Sequence, residues 1–215
     1  MPKALAEIFA LPLPRSLTAL LIKENKKALT SAVVKSGNPV EGEKIFRRRE
    51  LACFSCHAIG PVGSHIGPNL VAAGAAAQTD YIIEAILEPN KTIAQHYENR
   101  LITLADGTIR MGAITYKGEK SIMIRDSAQA GREIRIATDT IRKIKPMPSL
   151  MPAGLIDQLQ TRQEFLDLAR FVSLLGRPGP YANNESPIIR RWQISPGSAN
   201  KLPVDKAPWM RVYSM

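Results

Sequence analysis

Apolar residues recur at three different rhythms along this chain, and the changes of rhythm divide it. Residues 1–36 read as one or two short helices, with Ala4, Ile8 and Phe9 on one face and Leu17, Leu20, Leu21 and Ala28 on another. Gly37-Asn38-Pro39 breaks the pattern. Val40 to Ala52 reads as a helix with Val40, Ile45, Phe46 and Leu51 apolar and Lys44, Arg47, Arg48 and Arg49 charged. A glycine-rich loop through Gly60, Gly63, Gly67 and Gly74 follows. Thr79–Leu87 is a helix that Thr79 can cap, with Asp80 at its positive end, Ile82, Ile83, Ala85, Ile86 and Leu87 on its buried side, and Pro89 as its stop.

From Leu101 to about Ile144 the period shortens to two. Ile109, Met111 and Ala113 alternate with Arg110 and Gly112, and Ile134 and Ile136 with Glu133 and Arg135. Asp106-Gly107 is a hairpin signal. The segment reads as three to five antiparallel strands, a small sheet or barrel. Pro146-Met147-Pro148-Ser149-Leu150-Met151-Pro152 is a stiff loop, because each proline fixes its own φ and extends the residue before it. A short helix over Ala153–Gln160 is expected next. Then Thr161-Arg162-Gln163-Glu164 forms a capping box, and Phe165, Leu168, Ala169, Val172 and Leu175 recur at helical spacing until Gly176. Arg177–Met215 has no period, although Trp192 and Trp209 suggest parts that dock.

Composition narrows the class. The chain has 215 residues, 45% of them hydrophobic, enough for a packed core. No run of about 20 apolar residues exists, so no membrane-spanning helix is expected. The N-terminal stretch is a poor secretory signal, being broken by Pro12, Pro14 and Arg15. The net charge of +10 favours an acidic partner, an anionic surface or nucleic acid. The basic segments lack the aromatic residues that single-stranded nucleic-acid binders stack on, so nucleic acid is not the expected partner. Lys44, Arg47, Arg48 and Arg49 form a candidate docking patch for an acidic protein, or a plain solvated helix face.

The chain has two cysteines, which excludes a disulfide framework, and both lie in Cys53-Phe54-Ser55-Cys56-His57. This is the attachment pattern of haem c. Two thiols at this spacing can reach the two vinyl groups on one edge of a macrocycle, and the adjacent histidine can turn its imidazole under the iron. A thioredoxin-like redox pair would need a strand before the motif and a helix after it. A zinc site would need four ligands, and the only further histidines are His65 and His96, at no finger spacing.

Around this motif the chain resembles a class I cytochrome c. Gly42-Glu43-Lys44-Ile45-Phe46 precede it, Gly67-Pro68-Asn69-Leu70 follow it, and a methionine loop leads into a terminal helix. The span from about Gly37 to Pro180 resembles a narrower family, the haem-binding domain near the C-terminal end of large secreted planctomycete and verrucomicrobial proteins. That family shares Ser149-Leu150-Met151-Pro152-Ala153-Gly154-Leu155 and a β-rich insert. Some of its members are fused to dehydrogenase-like propellers or helical repeats.

The resemblance implies an α+β chain with a mostly helical cytochrome c fold in two sequence halves, interrupted by a small antiparallel β insert. The halves would be residues 37–96 and 146–177 and the insert 97–145, with 1–36 and 178–215 as connecting segments. It also implies one covalent haem c on Cys53 and Cys56, with His57 and Met151 as iron ligands and Met147 as the alternative. Pro68 would be the carbonyl that accepts a hydrogen bond from His57. Phe46, Leu70, Phe165, Ala169 and Val172 are candidates for an apolar wall.

The implied role is electron transfer and not catalysis, with a docked or fused dehydrogenase as redox partner. A haem sensor or peroxidase-like site with an open distal position, and a basic anion-binding module, are the rival readings. Covalent haem attachment places the chain in the periplasm or another extracytoplasmic space, and the missing export signal suggests a piece of a longer protein.

Overall fold

A computed structural model describes residues 16–182. The expected features at Ala4, Ile8, Phe9, Trp192 and Trp209 lie outside them. The described residues form a helical body and a five-stranded antiparallel sheet.

The body begins with α1 (Leu17–Ile22) and α2 (Lys26–Ser36), capped by the side chains of Ser16 and Asn25. Leu21, Leu29 and Val33 are buried in the helical core. Helix α3 (Pro39–Phe46) starts with proline at its first turn and an Asn38 cap. It packs against α7 (Arg162–Leu174), the longest helix among the described residues. The crossing is close because Gly42 has no side chain: a Cβ there would stand 2.0 Å from the Asp167 carbonyl oxygen. Asp167, buried beside it, accepts hydrogen bonds from the Asn38 N–H at 2.8 Å and from Gln163 at 2.7 Å.

Phe165, Leu168, Ala169, Val172 and Leu175 of the expected apolar face are all buried. Of the capping box, Thr161 Oγ1 accepts from Glu164 N–H at 3.2 Å, but the Glu164 carboxylate reaches one residue further back, to Gln160 N–H at 2.7 Å. Phe46 meets Phe171 with ring centroids 5.6 Å apart, and Phe171 meets Tyr181 edge-on at 5.3 Å. Helices α5 (Leu70–Ala76) and α6 (Thr79–Leu87) complete the body. Gln78, not Thr79, occupies the cap position of α6, and Gly74, read as loop, lies inside α5.

The sheet contains β3 (Asn99–Leu104), β4 (Ile109–Lys117), β5 (Ser121–Asp126), β6 (Arg132–Ala137) and β7 (Ile141–Pro146), in spatial order β6-β5-β4-β3-β7. β6 and β7 are thus opposite edges, yet only the 3-10 turn Thr138–Thr140 joins them. Laid flat, the two edges would stand about 19 Å apart at ~4.8 Å per strand. A 3-10 turn rises about 2 Å per residue and cannot span that. The sheet therefore curls. The turn is pinned to both sides of the curl, Thr138 N–H donating to Lys120 O at 3.0 Å and Ala105 N–H to Thr140 O at 2.8 Å.

The curl encloses Ile102, Ile122, Ile124 and Ile136, a core separate from that of the helices. This overturns the expected mostly helical cytochrome c fold with a small insert: the chain is α+β, and the sheet is a second folded unit with its own interior. The reason lies in the isoleucines, whose period-two spacing over successive strands is enough to fill a concave face without help from the helices. On β4 the alternating set splits: Ala113 is buried and Ile109 is 61% exposed, while Ile114 packs on the sheet core. Among the described residues no helix is long and apolar enough to cross a membrane.

Candidate functional site

The helix before the cysteine motif is shorter than its sequence pattern suggests. α3 ends at Phe46, a 3-10 turn follows over Arg49–Leu51, and Ala52 adopts the left-handed conformation at φ 51°. A non-glycine residue there is strained and reverses the chain. The motif then forms a separate helical turn, α4 (Cys53–Cys56), closed by the His57 N–H donating to Cys53 O at 2.9 Å. Phe54 anchors this turn by setting its ring edge-on to Phe46, 6.2 Å between centroids. Cys53 also packs against the helical core.

The two thiols are not joined in a disulfide. Burial pushes the Cys53 thiol up to about 11, with the neighbouring Cys56 adding to the shift, and burial raises Cys56 as well. Both are protonated at neutral pH. That is the opposite of the acidic thiol a thioredoxin-like pair requires. Burial also lowers the pKa of His57, against the opposing effect of its hydrogen bond to Pro68.

The His57 ring donates from Nδ1 to the Pro68 carbonyl oxygen at 2.8 Å. A carbonyl only accepts, so Nδ1 carries the hydrogen and the neutral ring keeps its lone pair on Nε2. The ring lies against Gly67: a Cβ on that residue would stand 2.6 Å from His57 Cε1 and 2.8 Å from Nδ1. The loop that brings Gly67 and Pro68 back to the histidine is itself tied down. Gly67 N–H donates to Cys56 O at 2.7 Å, and the hairpin β1 (Ala58–Ile59) with β2 (Val62–Gly63) fixes its first part. The Asn69 side chain donates to Gly60 O at 2.7 Å and accepts from Gly60 N–H at 3.2 Å and from Val71 N–H at 3.0 Å. One asparagine thus caps α5 and holds the hairpin over it, which sets the Pro68 carbonyl. Its position before a helix was the signal for a cap, but not for the second task.

The methionine loop is placed by different contacts. Met147 N–H donates to Asn99 O at 3.0 Å, and the Asn99 side chain donates to Pro148 O at 3.0 Å. Ser149 N–H donates to Asn90 Oδ1 at 2.8 Å, and Met151 N–H to Ser149 Oγ at 3.2 Å. Met151 is half-buried, whereas Met147 is exposed. The expected helix after the loop is a 3-10 turn, Leu155–Gln158, whose Ile156 is buried in the helical core. Phe46, Leu70, Phe165, Ala169 and Val172 are buried together in that core, as Cys53 and Phe54 are in part.

His65 and His96 are exposed, and among the described residues no three His, Cys, Asp or Glu side chains form a metal-ligating group. The four-ligand zinc arrangement is not built here. Three of the four cations in the expected docking patch are paired with acids: Lys44 with Glu41, Arg47 with Glu43 and Arg48 with Glu164. No family model matches the chain, and no curated protein does.

Proposed function

We propose that the chain carries one covalent haem c and works as a single-haem electron carrier. The observation that carries this reading is the His57 ring, fixed in one tautomer by Pro68 O at 2.8 Å and following directly on two free thiols of one helical turn. The tautomer that Pro68 selects keeps the lone pair on Nε2, the atom an iron would take, directly after two cysteines not joined in a disulfide. The residues fit the group in chemical kind. The thiols would become thioethers, His57 Nε2 would be one iron ligand, and Met151, the more buried methionine of the loop, would be the other.

When bound, the haem supplies one-electron exchange between ferric and ferrous iron. Everything else falls to the chain. Pro68 and Gly67 keep the imidazole from turning. Met151 presents a neutral, soft sulfur, which favours the ferrous state. The apolar side chains of the helical core exclude water, which disfavours the ferric state with its extra positive charge. With His57 and Met151 both holding the iron, no coordination site would be left for a substrate, which favours electron transfer over catalysis. The redox partner would be a dehydrogenase, fused or docked, and the setting extracytoplasmic, where thioether formation takes place.

The test is haem staining of a denaturing gel after expression with an export signal and the cytochrome maturation machinery. A stained band at 23.6 kDa plus the signal remnant, whose pigment survives acidified organic solvent, supports covalent attachment. A colourless band, or pigment that washes out, ends the reading. Fast carbon monoxide binding by the ferrous protein would instead favour an open distal site.

A further inference from the structure

The sheet has no counterpart of the cysteine motif, yet it holds the methionine loop through Asn99. We infer that Asn99, the first residue of β3, is a positioning residue that clamps residues 147–149 and thereby sets where Met151 stands; the inference rests on the haem reading above.

Asn99 is 3% exposed. It holds the loop from two sides, its carbonyl accepting from Met147 N–H and its side-chain amide donating to Pro148 O, both at 3.0 Å. These bonds differ in kind. The first simply extends the β3–β7 ladder past Pro146. The second is made by the side chain to a residue beyond the strand, and no ladder requires it.

The Oδ1 of the same amide is buried with no hydrogen-bond partner among the described residues. A buried acceptor without a partner destabilises a fold, and an apolar residue at the rim of the sheet would avoid that cost. What only the amide contributes is its donated bond to Pro148 O.

Pro148 cannot donate a backbone bond of its own and Pro146 cannot either, so the loop has few ways to anchor itself. The clamp continues outward through Ser149 N–H on Asn90 and Met151 N–H on Ser149 Oγ. Asn90 is exposed, so its bond competes with water, while the Asn99 bond does not. The buried amide is therefore the firm end of the chain of bonds that leads to Met151. In this way the sheet's curl, which sets the place of β3, also sets the place of the methionine.

The experiment uses the mature, full-length protein with Asn99→Ala and Asn99→Asp, the latter keeping the shape while its ionised form has no donor. Leu29→Ala, in the helical core on α2, is the control for lost stability. Four readouts are taken: haem stain, the methionine-to-ferric-iron charge-transfer band, ferrous carbon monoxide affinity, and amide hydrogen exchange over residues 147–151.

The expected result is intact staining in every variant. In Asn99→Ala and Asn99→Asp the band weakens, amide exchange across 147–151 speeds up, and ferrous carbon monoxide affinity rises about tenfold, the scale of one buried hydrogen bond lost. Leu29→Ala moves none of these. Unchanged exchange in both Asn99 variants overturns the clamp whatever the pigment does. Faster exchange with an unmoved band overturns the link to Met151. An unstained wild-type protein overturns the haem reading itself, and the stain tells that failure apart from the other two.

Discussion

Gly67→Ala is the most direct probe of the imidazole. Gly67 does not have a positive φ, so alanine brings no backbone strain of its own. The whole penalty arises from the new methyl group, which would stand 2.6, 2.8 and 3.1 Å from Cε1, Nδ1 and Nε2 of His57. All three are ring atoms of one rigid group, so no single torsion at the far end of a flexible chain can relieve them. The ring must tilt or slide, and either movement stretches the 2.8 Å bond to Pro68 O.

Overpacking of this kind costs about 1–3 kcal/mol. The weakened hydrogen bond adds about 1 kcal/mol. Against these, alanine restricts the unfolded chain and returns about 0.4–1 kcal/mol. The net expectation is a loss of about 2 kcal/mol, or roughly 4–8 °C in melting temperature for a chain of this size.

Gly107→Ala is the comparison, because Gly107 has φ 88° at the β3–β4 turn and no atom within 4 Å of its Cβ position. It should lose stability through backbone strain alone and leave the histidine untouched. The assay is chemical unfolding of both variants by circular dichroism, with the His57 ring resonances followed by NMR. A Gly67→Ala protein within about 0.5 kcal/mol of wild type, with unshifted ring resonances, would refute the contact.

Met151→Leu should keep the covalent stain, lose the methionine charge-transfer band and lower the reduction potential, as spectroelectrochemistry would register; Met147→Leu should do none of these if Met151 is the ligand. Cys53→Ser and Cys56→Ser should each leave a single thioether and a weaker stain, and the double variant should lose the stain entirely. Asp157 predicts a pH effect. Burial pushes its carboxyl up, but the hydrogen bonds from Thr18 and Ser16, together with that from Leu17, outweigh this and hold it below the usual value. A depressed carboxylate contributes stability that is present above its unfolded pKa and lost as pH falls through the folded one. The melting temperature should therefore drop on acidification below pH ~4, and Asp157→Asn should remove that part of the drop while lowering stability at neutral pH.

The parts of the fold that could be read from the chain are those fixed by neighbours in sequence. The terminal helix declared itself by Thr161, Glu164 and a 3.6-residue period, and the strands by alternation. Alternation does not say which face is concave. Both faces of β4 carry apolar residues: Ile114 packs on the sheet core, Ala113 is buried, and Ile109 is 61% exposed. The length of the helix before the motif was overread because Arg47–Ala52 has acceptable helical composition, while the left-handed turn at Ala52 leaves no mark in the sequence. The cysteines and histidine were legible from spacing alone. The contact of Gly67 with the imidazole was not, because it joins residues brought together only by a hairpin. Asn99 was invisible for the same reason, its partner Pro148 being 49 positions away.

The loop carrying Gly67 and Pro68 and the methionine loop belong to different parts of the sequence, and both are hydrogen-bonded to the sheet or to the turn that leads into it. On the histidine side, Ser64 Oγ donates to Ala130 O at 3.1 Å and His65 N–H to the same oxygen at 3.3 Å, just before β6 begins. On the methionine side, Asn99 at the start of β3 holds Met147 and Pro148. β6 and β3 are not adjacent in the sheet, being separated by β5 and β4. Their spacing is therefore set by two intervening ladders and by the isoleucine core beneath them, and not by either loop. A core change that alters the curl, such as Ile124→Ala, would shift both anchors at once. The loss expected from a buried isoleucine is about 2–5 kcal/mol. If the sheet frames the site, that loss should be accompanied by a change in the axial-ligand spectrum, whereas an equally costly truncation at Leu29 of α2, in the helical core away from both loops, should lower stability and leave the spectrum alone.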